Sequence, residues 1–480
     1  MLLNEDLLNY IVDYSRSLGV KYSEARYQLD KYFIIILRNG KLVTLGTSIN
    51  DGVGIRLIYD GVLTFSASNK LSRDELVGVV RDTVDRAKAL SYIVKTPTKF
   101  SDDVVSRGSY EVIPTKDFNS LDISEKVKLL TELNDVVVSS VKEVKVPTTY
   151  CRYVEHLQEK FIVNSDGGFV RGRVPRLLVM FNLVLHHPQK GSIQRIIEFG
   201  ASGGLELIDE WDLFKVVEEE VRSLERNLVE GVEPPKEPVD VVLGPEVVGI
   251  VVHESAGHPM EADRILGRES AQAGESYVKP EYVGSYRVGS DYVTVVEDPT
   301  IPKSYGYYEY DDECIKARPR YLYKEGVIYE PLHNRQTAYI FRTRSNGSSR
   351  AMDYASEPLI RMSNTYFKPG DMEFEELIED IELGVYIKSY MEWNIDDIRW
   401  NQRYVGLESY LIVNGELRGY IRNPVLELTT AGLYSKVVGV DKNLRFFPGT
   451  CGKGDPPQGV PVWFGGPNIR LSKVRLGVTV

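Results

Sequence analysis

Residues Glu233 to Pro238 read Glu-Pro-Pro-Lys-Glu-Pro, and this stretch constrains the fold more than any other. Proline has no backbone N–H and a fixed φ, so a cluster of them ends any helix or interior strand that reaches it. The chain is therefore expected to divide there into an N-terminal domain over 1–232, a Pro-rich linker over 233–238 and a C-terminal domain over 239–480. Its 480 residues, 42% of them hydrophobic, suffice for two substantial cores.

Upstream of the linker, residues 5–18 have helical spacing, 25–37 read as a strand around Phe33-Ile-Ile-Ile-Leu37, and 40–47 suggest its return strand. Residues 51–66 look like a further pair of strands turning at Asp60-Gly61, followed by an amphipathic helix over 72–89. A helix over 123–141, strands over 148–163 and 171–184 joined at Asp166-Gly167-Gly168, and a helix over 217–228 complete this half. Such an order could present a sheet edge to a peptide. Beyond about residue 275 the pattern is strand-rich, as in 321–329, 402–413 and 436–440. The fold class expected is α+β: a mixed helix and strand N-terminal domain, then a strand-rich C-terminal domain that begins with one short helix.

That helix carries the chemistry. Val239 to Leu243 reads as a buried strand, Gly244-Pro245 as a turn, and 246–252 as an apolar helix running into His253-Glu254-Ser255-Ala256-Gly257-His258. Two imidazoles and a carboxylate within six residues are the kit of a hydrolytic metal site. The familiar zinc-peptidase helix spaces its histidines at i and i+4. Here the spacing is i and i+5, which on a regular helix turns the second ring roughly 140° from the first, too far to share an ion. A single π-turn would absorb the extra residue, with Gly257 making the distortion cheap, and a loop could also do so.

Two histidines are one short of a catalytic zinc site, which takes three protein ligands. Glu261, Asp263, His333 and the His186-His187 pair are candidates. Cys451, in Phe447-Pro-Gly-Thr-Cys-Gly-Lys-Gly454, is the best of them, because flanking glycines bare its surroundings and a thiolate suits zinc. Spacing does not choose among them. The histidine pair and Cys451 lie 193 residues apart, so a site using both would require the C-terminal domain to be folded.

Composition narrows the function classes. A formal charge of −11 without a basic patch argues against nucleic acid as a partner. The first residues hold Glu5 and Asp6 and no basic n-region, and no apolar run approaches the ~18 residues of a membrane span. Three unpatterned cysteines suggest no disulfide framework. A cytoplasmic protein is expected, without membrane association.

The stretch from His253 to Arg264, together with Tyr310-Asp-Asp-Glu313, Arg361-Met-Ser-Asn-Thr-Tyr366 before Pro369-Gly370, and Thr450-Cys-Gly-Lys453, resembles the TldD/PmbA family of metallopeptidases, in its TldD branch. Gly52-Val-Gly-Ile-Arg56 and Asp60-Gly61 are similar to that family's amino-terminal pattern. The likeness runs in order along nearly the whole chain. Cys314 departs from it, standing where the family tends to have glycine, as does the Pro-rich 455–459 behind Cys451.

What the resemblance implies is one Zn2+ per chain held by His253, His258 and Cys451, with Glu254 of the HExxxH motif as catalytic base. PmbA-type (TldE) members lack these ligands and pair with TldD, so a PmbA-like partner or a homodimer is expected. Zinc with two neutral imidazoles and a thiolate keeps a net charge of about +1, enough to acidify water and polarise a peptide carbonyl. Glu254 would take the water's proton and return it to the leaving amine. Asn364 and Tyr366 are candidate substrate contacts. The expected function is proteolysis of peptides or unfolded segments by a zinc-dependent peptidase. The rivals are a non-catalytic partner or modulator with a structural metal, and a metal hydrolase of another amide.

Overall fold

The protein is described by a computed structural model over residues 5–269 and 274–478. Helix α1 (Glu5–Ser17) leads into β1 (Tyr22–Arg38), β2 (Lys41–Tyr59) and β3 (Val62–Ser68), joined as consecutive hairpins. Both turns are two-residue turns with positive φ throughout, 48° and 69° at Asn39-Gly40 and 48° and 81° at Asp60-Gly61. Asn-Gly and Asp-Gly are the residues that tolerate that backbone and match the strands' twist. The return strand expected over 40–47 and the first of the two strands expected over 51–66 are one: residues 41–59 form a continuous strand, because nothing between Thr47 and Asp51 breaks it.

Helix α2 (Arg73–Ser91) follows, capped by Ser72, whose hydroxyl accepts from the Glu75 N–H at 3.4 Å. Then come β4 (Arg107–Glu111), α3 (Ile123–Ser140), β5 (Lys145–Asn164), β6 (Phe169–His187), β7 (Gly191–Ser202), α4 (Glu206–Trp211) and α5 (Leu213–Glu230). The seven strands make one sheet in the order β3-β2-β1-β5-β6-β4, with β7 also on β6. All pairings are antiparallel except β4 with β6.

The period-two alternation of β1 assigns its two faces. Odd positions are apolar: Ala25, Tyr27 and Leu29 pack under α1 and α2, while Ile35 and Leu37 pack under α3 and α5. Even positions Glu24, Arg26, Gln28 and Asp30 are polar, yet at most 2% exposed, because the C-terminal half covers them. Arg26 donates to the carbonyls of Asp353 and Ser356, and Gln28 to that of Met352.

Residues 233–238 carry neither helix nor strand. Beyond them β8 (Val239–Leu243) enters a six-stranded sheet with strands 383–387, 409–413, 416–420, 437–440 and 469–474. A second six-stranded sheet contains the strands Asn364–Phe367, Arg445–Lys453 and Gln458–Gly466. Helix α6 (Pro245–Val252) crosses this second sheet so closely that a Cβ on Gly249 would lie 2.8 Å from the Gly465 nitrogen. The architecture is α+β, a helix-covered sheet followed by a strand-rich half, as the sequence pattern indicates.

Candidate metal centre

Pro245 starts α6 at a position where its missing N–H costs nothing. Val247, Val248, Ile250, Val251 and Val252 are all buried, the signature of a helix enclosed on every side. At His253 the helix widens. Residues His253–Gly257 form a π-turn, and the His258 N–H donates to the His253 carbonyl, five residues back. The π-turn that the i, i+5 spacing invites is therefore present.

Ser255 anchors the turn. Its hydroxyl lies 2.6 Å from the Val251 carbonyl and 2.8 Å from the Tyr434 hydroxyl, and Tyr323 donates to its carbonyl at 2.9 Å. Gly257 is required for a reason other than backbone freedom. Its φ of −61° suits any residue, but a Cβ there would lie 1.9 Å from Met362 Sδ.

The turn sets the His253 and His258 rings 82° apart in plane, with centroids separated by 5.1 Å. Cys451, on strand 445–453, completes the group: one donor atom from each of His253, His258 and Cys451 lies within 4.8 Å of the others, and all three residues are buried. The Cys451 Sγ to His258 Nε2 distance is 3.7 Å. Two ligands on a tetrahedral zinc at ordinary Zn–N and Zn–S lengths stand about 3.6 Å apart.

Burial by itself would raise the Cys451 thiol. The His258 ring, the Arg361 guanidinium and hydrogen bonding to both histidines outweigh it and hold the thiol well below its ordinary range. Arg361 also donates to the Cys451 carbonyl and, at 3.0 Å, to that of Gln458. For His258 burial works downward, but Cys451 and Glu261 prevail and raise the imidazole to about 9.

Glu261 acts behind His258. Its Oε2 lies 3.1 Å from His258 Nδ1, directing Nε2 toward Cys451. Lys453 holds that carboxylate from 3.3 Å while donating to Asp263 at 2.8 Å and to the Ile360 carbonyl at 2.9 Å. Glu254, 8% exposed, meets the Arg399 guanidinium at 2.6 Å.

Of the other residues weighed as ligands, His333 lies 3.1 Å from the Thr337 hydroxyl and stacks edge-on against Phe341, while His186 pairs with Ser192 near the surface. Asn364 is fully buried and engaged inside the protein: its amide donates to the Asp298 carbonyl at 2.6 Å and the Ser304 hydroxyl at 2.9 Å, and its oxygen accepts from the N–H groups of Gly306 and Trp463. Tyr366 packs edge-on against Phe446 at 5.4 Å. Neither belongs to the cluster. Nothing in the sequence signals Arg399, and Arg361 and Lys453 stand in the family-like motifs without a role of their own there, because only the fold brings these three to the cluster.

The acidic run after Tyr310 joins the two halves. Asp312 accepts from Lys160 at 2.8 and 2.9 Å, and Glu313 accepts from Arg56 at 2.8 Å. Cys314 has φ of +62°, which accounts for a preference for glycine at that position.

The donor set fits a metal ion. His253 Nδ1 is buried without a hydrogen-bond partner, the sulfur is held as thiolate, and two nitrogens with one sulfur suit zinc.

Fold and cluster together define an α+β protein with a buried His2Cys donor set on a π-distorted helix. Three sequence models match the chain: PmbA/TldA metallopeptidase domain 1 over residues 23–91, the central domain over 116–228, and the C-terminal domain over 236–478. The chain belongs to the PmbA/TldD metallopeptidase family. It is 30% identical to a metalloprotease of Methanothermobacter thermautotrophicus over 96% of each chain. A zinc metalloprotease TldD homolog of Saccharolobus solfataricus is 25% identical over 96% of this chain and 98% of its own. The crystal structure of TldE from Thermococcus kodakarensis shares the fold, with a TM-score of 0.74 at 16% identity over 98% of this chain and 100% of that one.

Proposed function

We propose that this protein is a zinc-dependent peptidase of TldD type, in which His253, His258 and Cys451 hold one Zn2+ and Glu254 is the proton-transferring base. The observation that carries this reading is the convergence of those three donors beside a carboxylate that is not one of them. When bound, zinc supplies Lewis-acid polarisation of a scissile carbonyl. Glu254 takes a proton from water and delivers it to the leaving amine. Arg399 fixes one Glu254 oxygen, so the other is the one to exchange the proton. Glu261 and Lys453 orient His258, and Arg361 positions Cys451 through its carbonyl.

Residues 239–480 form the catalytic domain in this reading. Residues 1–232 serve as the scaffold that guides peptides or unfolded segments and carries the subunit contact, with 233–238 as the link. The partner is a PmbA/TldE-like subunit or a second copy, and the setting is the cytoplasm. The rival reading, a non-catalytic modulator with a structural metal, accounts for Glu254 only as the buried partner of Arg399 and gives its second oxygen no role beside the donors. A non-peptide amide substrate would use the same groups.

Metal analysis and hydrolysis of unstructured peptides on one preparation test the proposal. It expects about one zinc per chain and cleavage that stops on chelation and returns with zinc. Stoichiometric zinc with cleavage of small amides but not peptides would favour the other substrate class.

A further inference from the structure

Even-numbered residues near the end of β7 face the C-terminal half. A Cβ on Gly200 would lie 2.7 Å from Pro448, and the Trp463 indole donates to the Gly200 carbonyl at 2.6 Å. Glu198 precedes Gly200 by two positions and so shares that face. Between β7, the strand Tyr390–Ile395 and the strand Arg445–Lys453 lies a cavity of about 450 Å³. It adjoins the metal centre. Phe464 is one wall, and its ring centroid stands 6.2 Å from that of His253. Tyr390 is another: burial first, then the carboxylates of Glu246, Glu198 and Glu254, hold its phenol well above the ordinary range. Phe447 stacks on Phe464 at 6.1 Å and Trp393 meets Tyr390 edge-on at 5.6 Å, so the cavity is walled by aromatic surface.

The charge of the lining is one-sided. Four carboxylates, those of Glu198, Glu220, Glu246 and Glu392, face one guanidinium, that of Arg195. Arg195 is already engaged, since it pairs with Glu220 and donates to both Glu246 oxygens at 2.7 and 2.8 Å. Glu392 meets Arg403 at 2.9 Å. Glu198 alone of the four has no hydrogen-bond donor among the described residues, and Arg195 and Arg152 act on it only through space. Burial, with Glu246 adding to it, pushes its carboxyl up to about 7. A carboxyl so placed is short of a cation.

We propose that this cavity is a side-chain pocket for a basic residue, Lys or Arg, of a peptide whose backbone lies at the metal centre. Glu198 meets the ammonium or guanidinium head, while Tyr390, Trp393, Phe447 and Phe464 cover the methylene stem. An apolar side chain would leave the carboxylate uncompensated, and an acidic one would be repelled by it. The pocket rests on the peptidase reading for its peptide, but its charge preference can be read without cleavage.

The test gives the zinc-loaded full chain, with and without a PmbA-like partner, a matched set of unstructured peptides. They differ only in carrying Lys, Arg, norleucine, Gln or Glu at one position, each with a free and with an acetylated amino terminus. Cleavage sites, kcat and KM are read for wild type, Glu198→Gln and Glu198→Lys. Peptide binding is read by fluorescence anisotropy on Glu254→Gln, alone and combined with Glu198→Gln. Wild type should cut beside the basic residue and prefer Lys and Arg peptides over norleucine and Gln by about tenfold or more, the worth of one charge-assisted contact. Glu198→Gln should erase that preference through KM and Glu198→Lys should turn it toward Glu, both with zinc content and circular dichroism as in wild type. Cleavage by wild type that ignores charge overturns the proposal and leaves the peptidase reading standing. So does a preference that survives both substitutions, or one that follows the free amino terminus instead of the side chain. No cleavage of any peptide, with tighter binding of Lys and Arg peptides that Glu198→Gln abolishes, would overturn the peptidase reading and keep the pocket. Neither cleavage nor a charge preference in binding would overturn both.

Discussion

The Arg399 guanidinium lies 2.6 Å from the Glu254 carboxylate, and the two side chains are only 6% and 10% exposed. Residues 145 positions apart thus form a buried ion pair beside the histidines. Removing one member of such a pair leaves the other charge unpaired in a low-dielectric setting, at a cost of about 3–5 kcal/mol. Arg399→Ala should lower stability in denaturant titration by about that amount while zinc content stays at the wild-type level. Loss of zinc instead would place Arg399 in support of the ligands.

Zinc uptake should depend on pH through His258, which holds a proton up to about 9 while Cys451 is a thiolate. A ligating imidazole is neutral, so loading near pH 7 expels that proton, and affinity should fall about tenfold per pH unit below 9. Competition with a chromophoric chelator from pH 6.5 to 8.5 reads this directly. A flat profile would mean that His258 is not a ligand. Cys451→Ser should weaken zinc retention at every pH, and unchanged occupancy would assign the third position to another donor.

Gly257→Ala places a methyl where Met362 Sδ now lies, 1.9 Å from the added carbon. Overpacking of this kind costs about 1–3 kcal/mol. Met362→Ala in the same chain should recover part of that loss, a coupling read by a double-mutant cycle in denaturant. Simple additivity would show that the π-turn tolerates the methyl by moving elsewhere.

His333 is held down to about 4 by burial, against an ordinary 6.5. The unfolded chain binds this proton at a higher pH than the folded one, so its contribution is complete above pH 6.5 and disappears as pH falls toward 4. The full difference is about 3 kcal/mol. His333→Gln should show a shallower loss of stability between pH 6.5 and 4 than wild type, and equal slopes would contradict the assignment.

Local signals in the sequence carried much of this. Asn39-Gly40 and Asp60-Gly61 mark the first two turns, Ser72 marks a helix start, and the spacing of His253 and His258 anticipates the π-turn. The expected start of α5 at Val217 lies inside the observed helix, which begins at Leu213, because Leu213 and Phe214 extend its apolar stripe. Long-range pairing was not legible. Glu24, Arg26, Gln28 and Asp30 alternate with apolar residues like a solvated strand face, yet Arg56, His156 and the backbone of 352–356 bury them. Glu261 was weighed as a ligand from its nearness to His258 in sequence, and the fold turns it onto the far ring nitrogen. Cys451 could be ranked first but not selected, since 193 residues separate it from its neighbour.

The central claim is tested most directly by zinc content and peptide cleavage measured together on wild type and Glu254→Gln, with and without a PmbA-like partner. The account predicts zinc in both proteins and cleavage by wild type alone. Zinc in both with no cleavage under any pairing would contradict it and point to a binding protein with a structural metal.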